Sequence, residues 1–528
     1  MVCIGYQETF TMLRSISLIT VIVVSMALTA LSGAWAEKPN TRSPFVNGAE
    51  RGVSPPTTLR VGSMQAEPHQ YWANAKVDGL RTMDLEILAT VADAAGLEVI
   101  LTKLSWTEQQ ESLLSGKIDL ALGAYKPDFG DARFYYSIPY RQTSMALYIR
   151  ADDKEGYDLN DVITMVQDSN KFRLGLVAGQ GFQDSNVYRA FESAARERRL
   201  VVAQDLEENL KNLADGRIDG FIGERLVTTA SAIEMKLSPI LHETILPGTW
   251  NVYAIFSKTT VTQEVVDRFN AAIKAAANSG ELKTIIHRNV FSVIATYFFN
   301  SILFFSLDVV GTIAFAISGV LIAYRERFSI VGAFVLSALP AVGGGVLRDL
   351  IFDRHPIGVL STPLYLCLVG FTVLIGLAII RLVQMLQRRR YWFDAGIKFP
   401  AFVNIKNIYE CSDAIGLGAF TVSGVALAVS VGAHPLWLWA PISATLSAAG
   451  GGILRDIVRQ SGRIDTLKTE FYAEVPIIWG VTFSLFIMVQ PTVVDPRIFF
   501  VAIVIMLFGA MLTRLAALWF GIRAIRFW

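Results

Sequence analysis

Ala341-Val342-Gly343-Gly344-Gly345-Val346-Leu347-Arg348-Asp349 returns 107 residues later as Ala448-Ala449-Gly450-Gly451-Gly452-Ile453-Leu454-Arg455-Asp456, and this recurrence decides the second half of the fold. A second pair of blocks lies 105 residues apart. Leu307-Asp308-Val309-Val310-Gly311, Ala314-Phe315 and Ser318-Gly319 match Ser412-Asp413-Ala414-Ile415-Gly416, Ala419-Phe420 and Ser423-Gly424. Between the copies lie three apolar segments, an odd number, so the second copy enters the bilayer upside down. That is the inverted repeat of many transporters. Three successive glycines weaken a helix by about 1 kcal/mol each relative to alanine. Irregular backbone at membrane depth is tolerated only where it is buried or lines a cavity. Gly343, Gly344, Gly345, Gly450, Gly451 and Gly452 therefore mark either a pathway or a close helix contact. The ionisable pairs Arg348-Asp349 and Arg455-Asp456 are either pathway groups or caps of span ends. Asp308 and Asp413 are either interface anchors or pathway carboxylates.

Around these blocks, 52% of the 528 residues are hydrophobic and 18% charged, with mean hydropathy +0.43. Soluble domains carry about 25% charged residues, so a membrane region with a soluble part is implied. Seven apolar segments qualify as spans: 301–323, 329–347, 359–380, 413–431, 435–454, 475–490 and 498–520, the sixth being the shortest. Basic residues favour the cytoplasmic side. Arg325 and Arg327, Arg388 to Arg390, Arg455, Arg459, Arg463 and Lys468, and Arg523 and Arg526 all fall on one side if the preceding domain is exported. Lys plus Arg (47) balances Asp plus Glu (46), so nucleic acid is not an expected partner. Three cysteines and five scattered histidines make neither a disulfide framework nor a zinc site. No metal or cofactor is expected.

The segments AFAISGVLIA, AVGGGVLRD and SAAGGGILRD resemble the bacterial glycine-transporter family, a formerly uncharacterised membrane family related to the trimeric intracellular cation channels. The resemblance covers about residues 303–523. It implies a seven-span subunit of three plus three plus one helices, with repeat 1 at 301–390, repeat 2 at 408–490 and a seventh span and cytoplasmic tail at 497–528. It also implies a homotrimer with one pathway per protomer, and either transport of glycine or another small amino acid or conduction of a monovalent cation.

The N-terminal half has another texture. Arg14, an apolar run at 16–31 and Ala34-Trp35-Ala36 read as a signal peptide over 1–36, or else as an uncleaved anchor, with Met1 or Met12 as the start. Residues 37–56 read as a linker. Residues 57–290 alternate strand-length apolar runs (59–62, 118–122, 174–177, 220–222) with amphipathic stretches (83–95, 265–277), the pattern of a soluble α/β domain. Gly79-Leu80-Arg81-Thr82-Met83-Asp84-Leu85, Ser115-Gly116-Lys117-Ile118-Asp119, Tyr136-Ser137-Ile138-Pro139-Tyr140 and Asp215-Gly216-Arg217-Ile218-Asp219 resemble the family-3 extracellular solute-binding proteins. Such binders hold polar amino acids between two α/β lobes. An amino acid needs an anion for its ammonium and donors for its carboxylate. By position, the resemblance places Glu224 at the ammonium and Trp106 on an aromatic wall. It puts Tyr71 and Trp72 in the first ligand loop, and Gly123, Ala124 and Tyr125 at a strand end supplying backbone contacts. Gly179-Gln180-Gly181 is expected to open a helix whose N–H groups meet an anion. The family's carboxylate-binding arginine is replaced by Asp131, with Arg133 two residues on as a substitute.

Together these readings give a two-lobed periplasmic-binding-protein domain fused, almost without linker, to an all-α inverted-repeat domain of the bacterial inner membrane. The binding domain is expected in the periplasm and the C-terminus in the cytoplasm. The expected function is uptake of a small amino acid presented by the binding domain. A ligand-gated cation channel and a solute sensor are the alternatives, and an enzyme is not expected.

Overall fold

The computed structural model describes residues 57–63, 79–127, 132–156, 172–182, 184–390, 405–459, 471–491 and 496–524. The expected signal peptide and linker, Tyr71, Trp72, Asp131, Arg463, Lys468 and Arg526 lie outside them.

Two sheets form the first half. Strand β1 (Thr57–Ser63), helix α1 (Gly79–Ala95), β2 (Leu97–Lys103), α2 (Trp106–Leu114) and β3 (Leu120–Ala124) build one βαβαβ unit, its strands parallel with β1 central. β4 (Phe134–Tyr136) and β5 (Arg141–Thr143) follow. The chain then enters the second sheet at β6 (Met145–Arg150) and repeats the design: β7 (Leu174–Val177), α3 (Ser185–Arg196), β8 (Leu200–Ala203), α4 (Leu206–Ala214), β9 (Gly220–Glu224) and α5 (Arg225–Glu234), with β7 central. β10 (Leu241–Ile245) edges this sheet, and β11 (Trp250–Ser257) returns to the first, antiparallel to β3, β4 and β5. Two crossings, at 143–145 and 245–250, therefore join two lobes.

The recurrent Gly-Lys/Arg-Ile-Asp motif has one role in both lobes. Asp119 accepts from Arg60 N (2.8 Å) and Nε (2.9 Å), and Asp219 accepts from Arg173 N (2.7 Å) and Nε (3.0 Å). Ile118 and Ile218 are buried beneath Gly62 and Gly175, where a Cβ would collide with them. The strand expected at 118–122 starts instead at Leu120, because Asp119 is spent on clasping β1. Burial pushes both carboxyls up, but hydrogen bonds from Arg60 and Thr260, and from Arg173, hold them below their ordinary value. A depressed carboxyl adds stability above its unfolded pKa of about 3.9, lost as pH falls through the folded value. We expect Asp119→Asn and Asp219→Asn to lower the thermal midpoint at pH 7 and to flatten the acid limb of a pH–stability profile below about pH 4.

Helix α6 (Gln263–Asn278) closes the first lobe, and α7 (Glu281–Phe299) runs on as one 19-residue helix. The membrane half then follows: α8 (Ile302–Arg325), α9 (Ile330–Ala338), a π-helical turn at Leu339–Gly343, α10 (Gly344–Ile351) and α11 (Leu364–Arg390). Its second part is α12 (Ile405–Ser430), α13 (Leu436–Thr445), a π-helical turn at Leu446–Gly450, α14 (Gly451–Val458), α15 (Glu474–Val489) and α16 (Pro496–Phe520). Among the described residues, five helical stretches are long and apolar enough to cross a bilayer: Ile302–Arg325, Ile330–Ile351, Leu364–Met385, Ile405–Ser430 and Ile498–Phe520. The other two expected segments are also helical. One is the continuous α13–π–α14 rod, diluted by Pro441 and three glycines; the other is the 16-residue α15.

The two blocks pack alike. Phe315 stacks on Phe420 at 5.4 Å between α8 and α12. A Cβ on Gly319 would meet Leu336 O at 2.5 Å, and one on its partner Gly424 would meet Ser443 O at 2.5 Å. A Cβ on Gly344 would meet Leu446 O at 2.7 Å, and one on Gly451 would meet Leu339 O at 2.5 Å. The central glycines thus let the two π-turns touch backbone to backbone. The helices stay continuous through the π-turns rather than opening, with Gly344 and Gly451 in ordinary α geometry.

Candidate functional site

Two cavities gather the described site residues of the first half and four of those in the membrane half, Asp308, Gly345, Arg348 and Asp349. The first, ≈ 600 Å³, lies between the lobes and is lined by Trp106, Gly123, Ala124, Tyr125, Arg133, Gln180, Gly181 and Glu224, all expected from the sequence. At its floor stands a residue the sequence reading missed. Arg141, on the crossing strand β5 and only 5% exposed at its side chain, donates from Nε to Asp84 (2.7 Å) and from Nη1 to Glu224 (2.9 Å). Tyr125 OH donates to the same Glu224 carboxylate (2.9 Å). Asp84 comes from α1 of the first lobe and Glu224 from β9 of the second, so one guanidinium ties the lobes together. Burial alone would depress Arg141, but Asp84 and Glu224 hold it protonated, above its usual value. Burial and the Glu224 charge push the Tyr125 phenol up, keeping it a donor.

A second tie crosses the cleft. Trp106 Nε1 (2.8 Å) and Gln110 Nε2 (2.7 Å) both donate to Gly179 O, whose residue turns at φ +73°. Gly179-Gln180-Gly181 is a turn and not a helix start, which corrects the expected helix opening. Helix α3 begins at Ser185, and the N–H groups of Asn186 and Val187 are taken by the Asp184 side chain. Gly123 N is likewise occupied, donating to Tyr140 OH (3.0 Å). The Arg133 guanidinium lies over the Phe134 ring (5.3 Å) at the cavity wall. The lobes are therefore tied across the cleft, with Glu224 engaged by Arg141 where a ligand ammonium was expected.

The second cavity, ≈ 540 Å³, lies in the membrane half. It is lined by Asp308, Gly345, Arg348, Asp349 and Tyr365, with Thr296, Phe299 and Asn300 at the end of α7 on its rim. It thus opens beside the helix that descends from the lobes. Arg348 pairs with Asp349 (2.8 Å) and donates from Nη1 to Ser423 Oγ (3.0 Å) across to the other repeat. Asp349 also accepts from Gly358 N (2.9 Å).

The repeat-related set is sealed. Asp413, Arg455 and Asp456 are at most 3% exposed. Arg455 lies 3.4 Å from Asp456 and 3.9 Å from Asp413, and its Nη1 reaches Ser318 Oγ (3.5 Å), the counterpart of the Arg348–Ser423 bond. Tyr472, which occupies in repeat 2 the place of Tyr365, donates to Asp413 (3.3 Å). Arg514 of α16 approaches Asp413 (3.6 Å) and stacks on Tyr472 (4.7 Å). Arg459 joins Asp456 (3.3 Å) to Glu326 at the end of α8. Asp413 is thus a buried network member and not an interface anchor. Gly343, Gly344, Gly450 and Gly451 pack against the facing block, whereas Gly345 faces the cavity. The 107-residue offset also relates Tyr365 to Tyr472, a signal that was available in the sequence.

Comparison with known proteins follows the same division. A family model described as glycine transporter matches twice, at residues 305–381 and 410–488. A model of bacterial extracellular solute-binding proteins, family 3, matches residues 59–291. The UPF0126 inner membrane protein YadS of Escherichia coli (strain K12) is 34% identical over 175 residues, 33% of this chain and 74% of that protein. The probable amino-acid-binding protein YxeM of Bacillus subtilis (strain 168) is 23% identical over 274 residues, 50% of this chain and 91% of that one. A solved structure described as "Structural basis for conductance through TRIC cation channels" is 26% identical, with a TM-score of 0.34, covering 43% of this chain and 97% of the other.

Proposed function

We propose, from the premise that the chain belongs to the UPF0126 membrane-protein family and carries a family-3 solute-binding domain fused ahead of it, that it is a transport protein with a built-in receptor. The lobes capture a small amino acid outside the inner membrane and deliver it to the membrane cavity, which passes it inward. Glycine is the first substrate to try, because the family model carries that description. One observation carries the reading: Asp308 and Tyr365 are partly exposed around a cavity beside the lobes, whereas their counterparts Asp413 and Tyr472 are buried in an ion network, the Arg-Asp pair being buried in both copies. In an inverted repeat of seven spans, such asymmetry is what an outward-facing transporter has, and exchanging the two environments would carry solute across. The exported orientation follows the basic residues at span ends. A cleavable signal over 1–36, a linker over 37–56 and a homotrimer belong to the same proposal.

The second reading is a ligand-gated path for a monovalent cation, which the carboxylates of Asp308 and Asp349 at the cavity favour. Proteoliposomes separate the two. We expect uptake of a labelled amino acid from a panel including glycine, reduced at least tenfold by Asp308→Ala. Potassium current that rises with the amino acid while no label enters would establish the channel. A panel that gives neither uptake nor current would refute both.

A further inference from the structure

Two of the carboxylates of helix α1 have different partners. Asp84 faces the cleft and holds Arg141. Glu86, two residues later, pairs with Arg288 and accepts from Asn289 Nδ2 (2.9 Å), both on α7. The far end of α7 lies on the rim of the membrane cavity. There Phe299 lies under the Arg354 guanidinium (5.7 Å), and Arg354 Nη1 stands 3.7 Å from Asp349. Between these ends Ser292 Oγ donates to Ser430 O (2.6 Å) at the end of α12, and Phe298 packs on Phe499 of α16. Arg288 and Asn289 stand near the middle of α7, and the helix runs unbroken from them to Phe299 over about 15 Å, so α7 links the lobes to Arg354, the partner of a cavity carboxylate.

We propose that Glu86 is a positioning residue that couples the state of the lobes to the outer mouth of the membrane cavity, acting through Arg288, Asn289, α7 and Arg354 on Asp349. The inference rests on the transport reading only for its purpose; the coupling itself is a property of the contacts. Lobe closure is a two-state element, and opening it must break Arg141 away from Asp84 or Glu224 and free Gly179 from Trp106 and Gln110. A shift of α1 is passed to α7 by a charged pair and a hydrogen bond, besides apolar contact. Arg354 then moves with Phe299 and alters its distance to Asp349. The cross-lobe ties and the cavity beside α7 occur together in the structure, so loosening the ties is expected to disfavour this form of the cavity. Coupling is reciprocal in free energy, so an altered mouth also changes how tightly the lobes close.

The test needs no ligand. The full chain, with its three native cysteines replaced by serine and Thr362→Cys added at the cavity, is reconstituted and labelled with a membrane-impermeant thiol reagent. Loosening the lobes with Arg141→Ala plus Gln110→Ala is expected to slow labelling about tenfold, within the usual range of coupling between sites. In a Glu86→Gln, Asn289→Ala background the same loosening should change the rate less than twofold. The charge-reversed pair Glu86→Arg with Arg288→Glu should restore most of the dependence, which a merely structural role would not do. Equal slowing with and without Glu86, or no slowing in the parent protein, overturns the proposal. Failure of amino-acid uptake would leave this readout intact, so the coupling and the transport reading fail separately.

Discussion

Arg455→Ala is expected to destabilise the membrane half by about 3–5 kcal/mol, the cost of removing one partner from a buried ion pair. The sealed network holds three carboxylates, Asp413, Asp456 and Glu326, against three guanidiniums, Arg455, Arg459 and Arg514. Deleting one arginine leaves a net negative charge where Asp413 and Asp456 have almost no contact with solvent. Replacing both partners by apolar groups of similar shape is far less costly. The double variant Arg455→Met, Asp456→Leu, which leaves Asp413 with Arg514 and Glu326 with Arg459, should therefore recover most of the loss in thermal denaturation in detergent. Recovery would identify charge pairing, and not packing, as what Arg455 supplies.

The second large effect belongs to the cleft. Arg141→Ala removes the one cation that Asp84 and Glu224 share and leaves two carboxylates facing each other across the lobes. We expect the binding domain to lose about 3 kcal/mol in its closed form and the lobes to separate, visible as an increased radius of gyration in solution scattering of the full chain. Arg141→Lys keeps the charge but cannot reach both carboxylates with a fork of fixed geometry, so it should fall between the two. An unchanged scattering profile for Arg141→Ala would mean that the Gly179 contacts alone hold the cleft.

What the sequence disclosed and what it withheld follow from the range of the interactions. The blocks around Gly344 and Gly451 announce themselves because each is contiguous. The structure adds why the glycines matter, since a Cβ on either would strike the opposite backbone. Tyr365 and Tyr472 keep the same spacing but lack a contiguous motif around them. Glu224, Trp106 and Tyr125 were reached through local motifs, and they do meet in one cavity. Arg141 was not, although it directly follows Tyr140. Its meaning lies in Asp84 and Glu224, 57 and 83 residues away along the chain, and only the crossing strands bring them together. Arg514 and α7 were illegible for a similar reason. One is a single arginine in an apolar helix; the other is a helix that meets the lobes up to Asn289 and the membrane cavity at Phe299. Nor can a duplicated sequence say which copy is open, because that difference lies in packing alone.

Central to the proposed function is a difference in access: Asp308 and Tyr365 line the cavity beside the lobes, and their counterparts Asp413 and Tyr472 are buried. It is tested most directly by reaction of Tyr365→Cys and Tyr472→Cys, each in a cysteine-free full chain, with an impermeant thiol reagent added from the lobe side of sealed proteoliposomes. The account predicts rapid reaction at 365 and at least tenfold slower reaction at 472. Equal rates at the two positions, or faster reaction at 472, would contradict it.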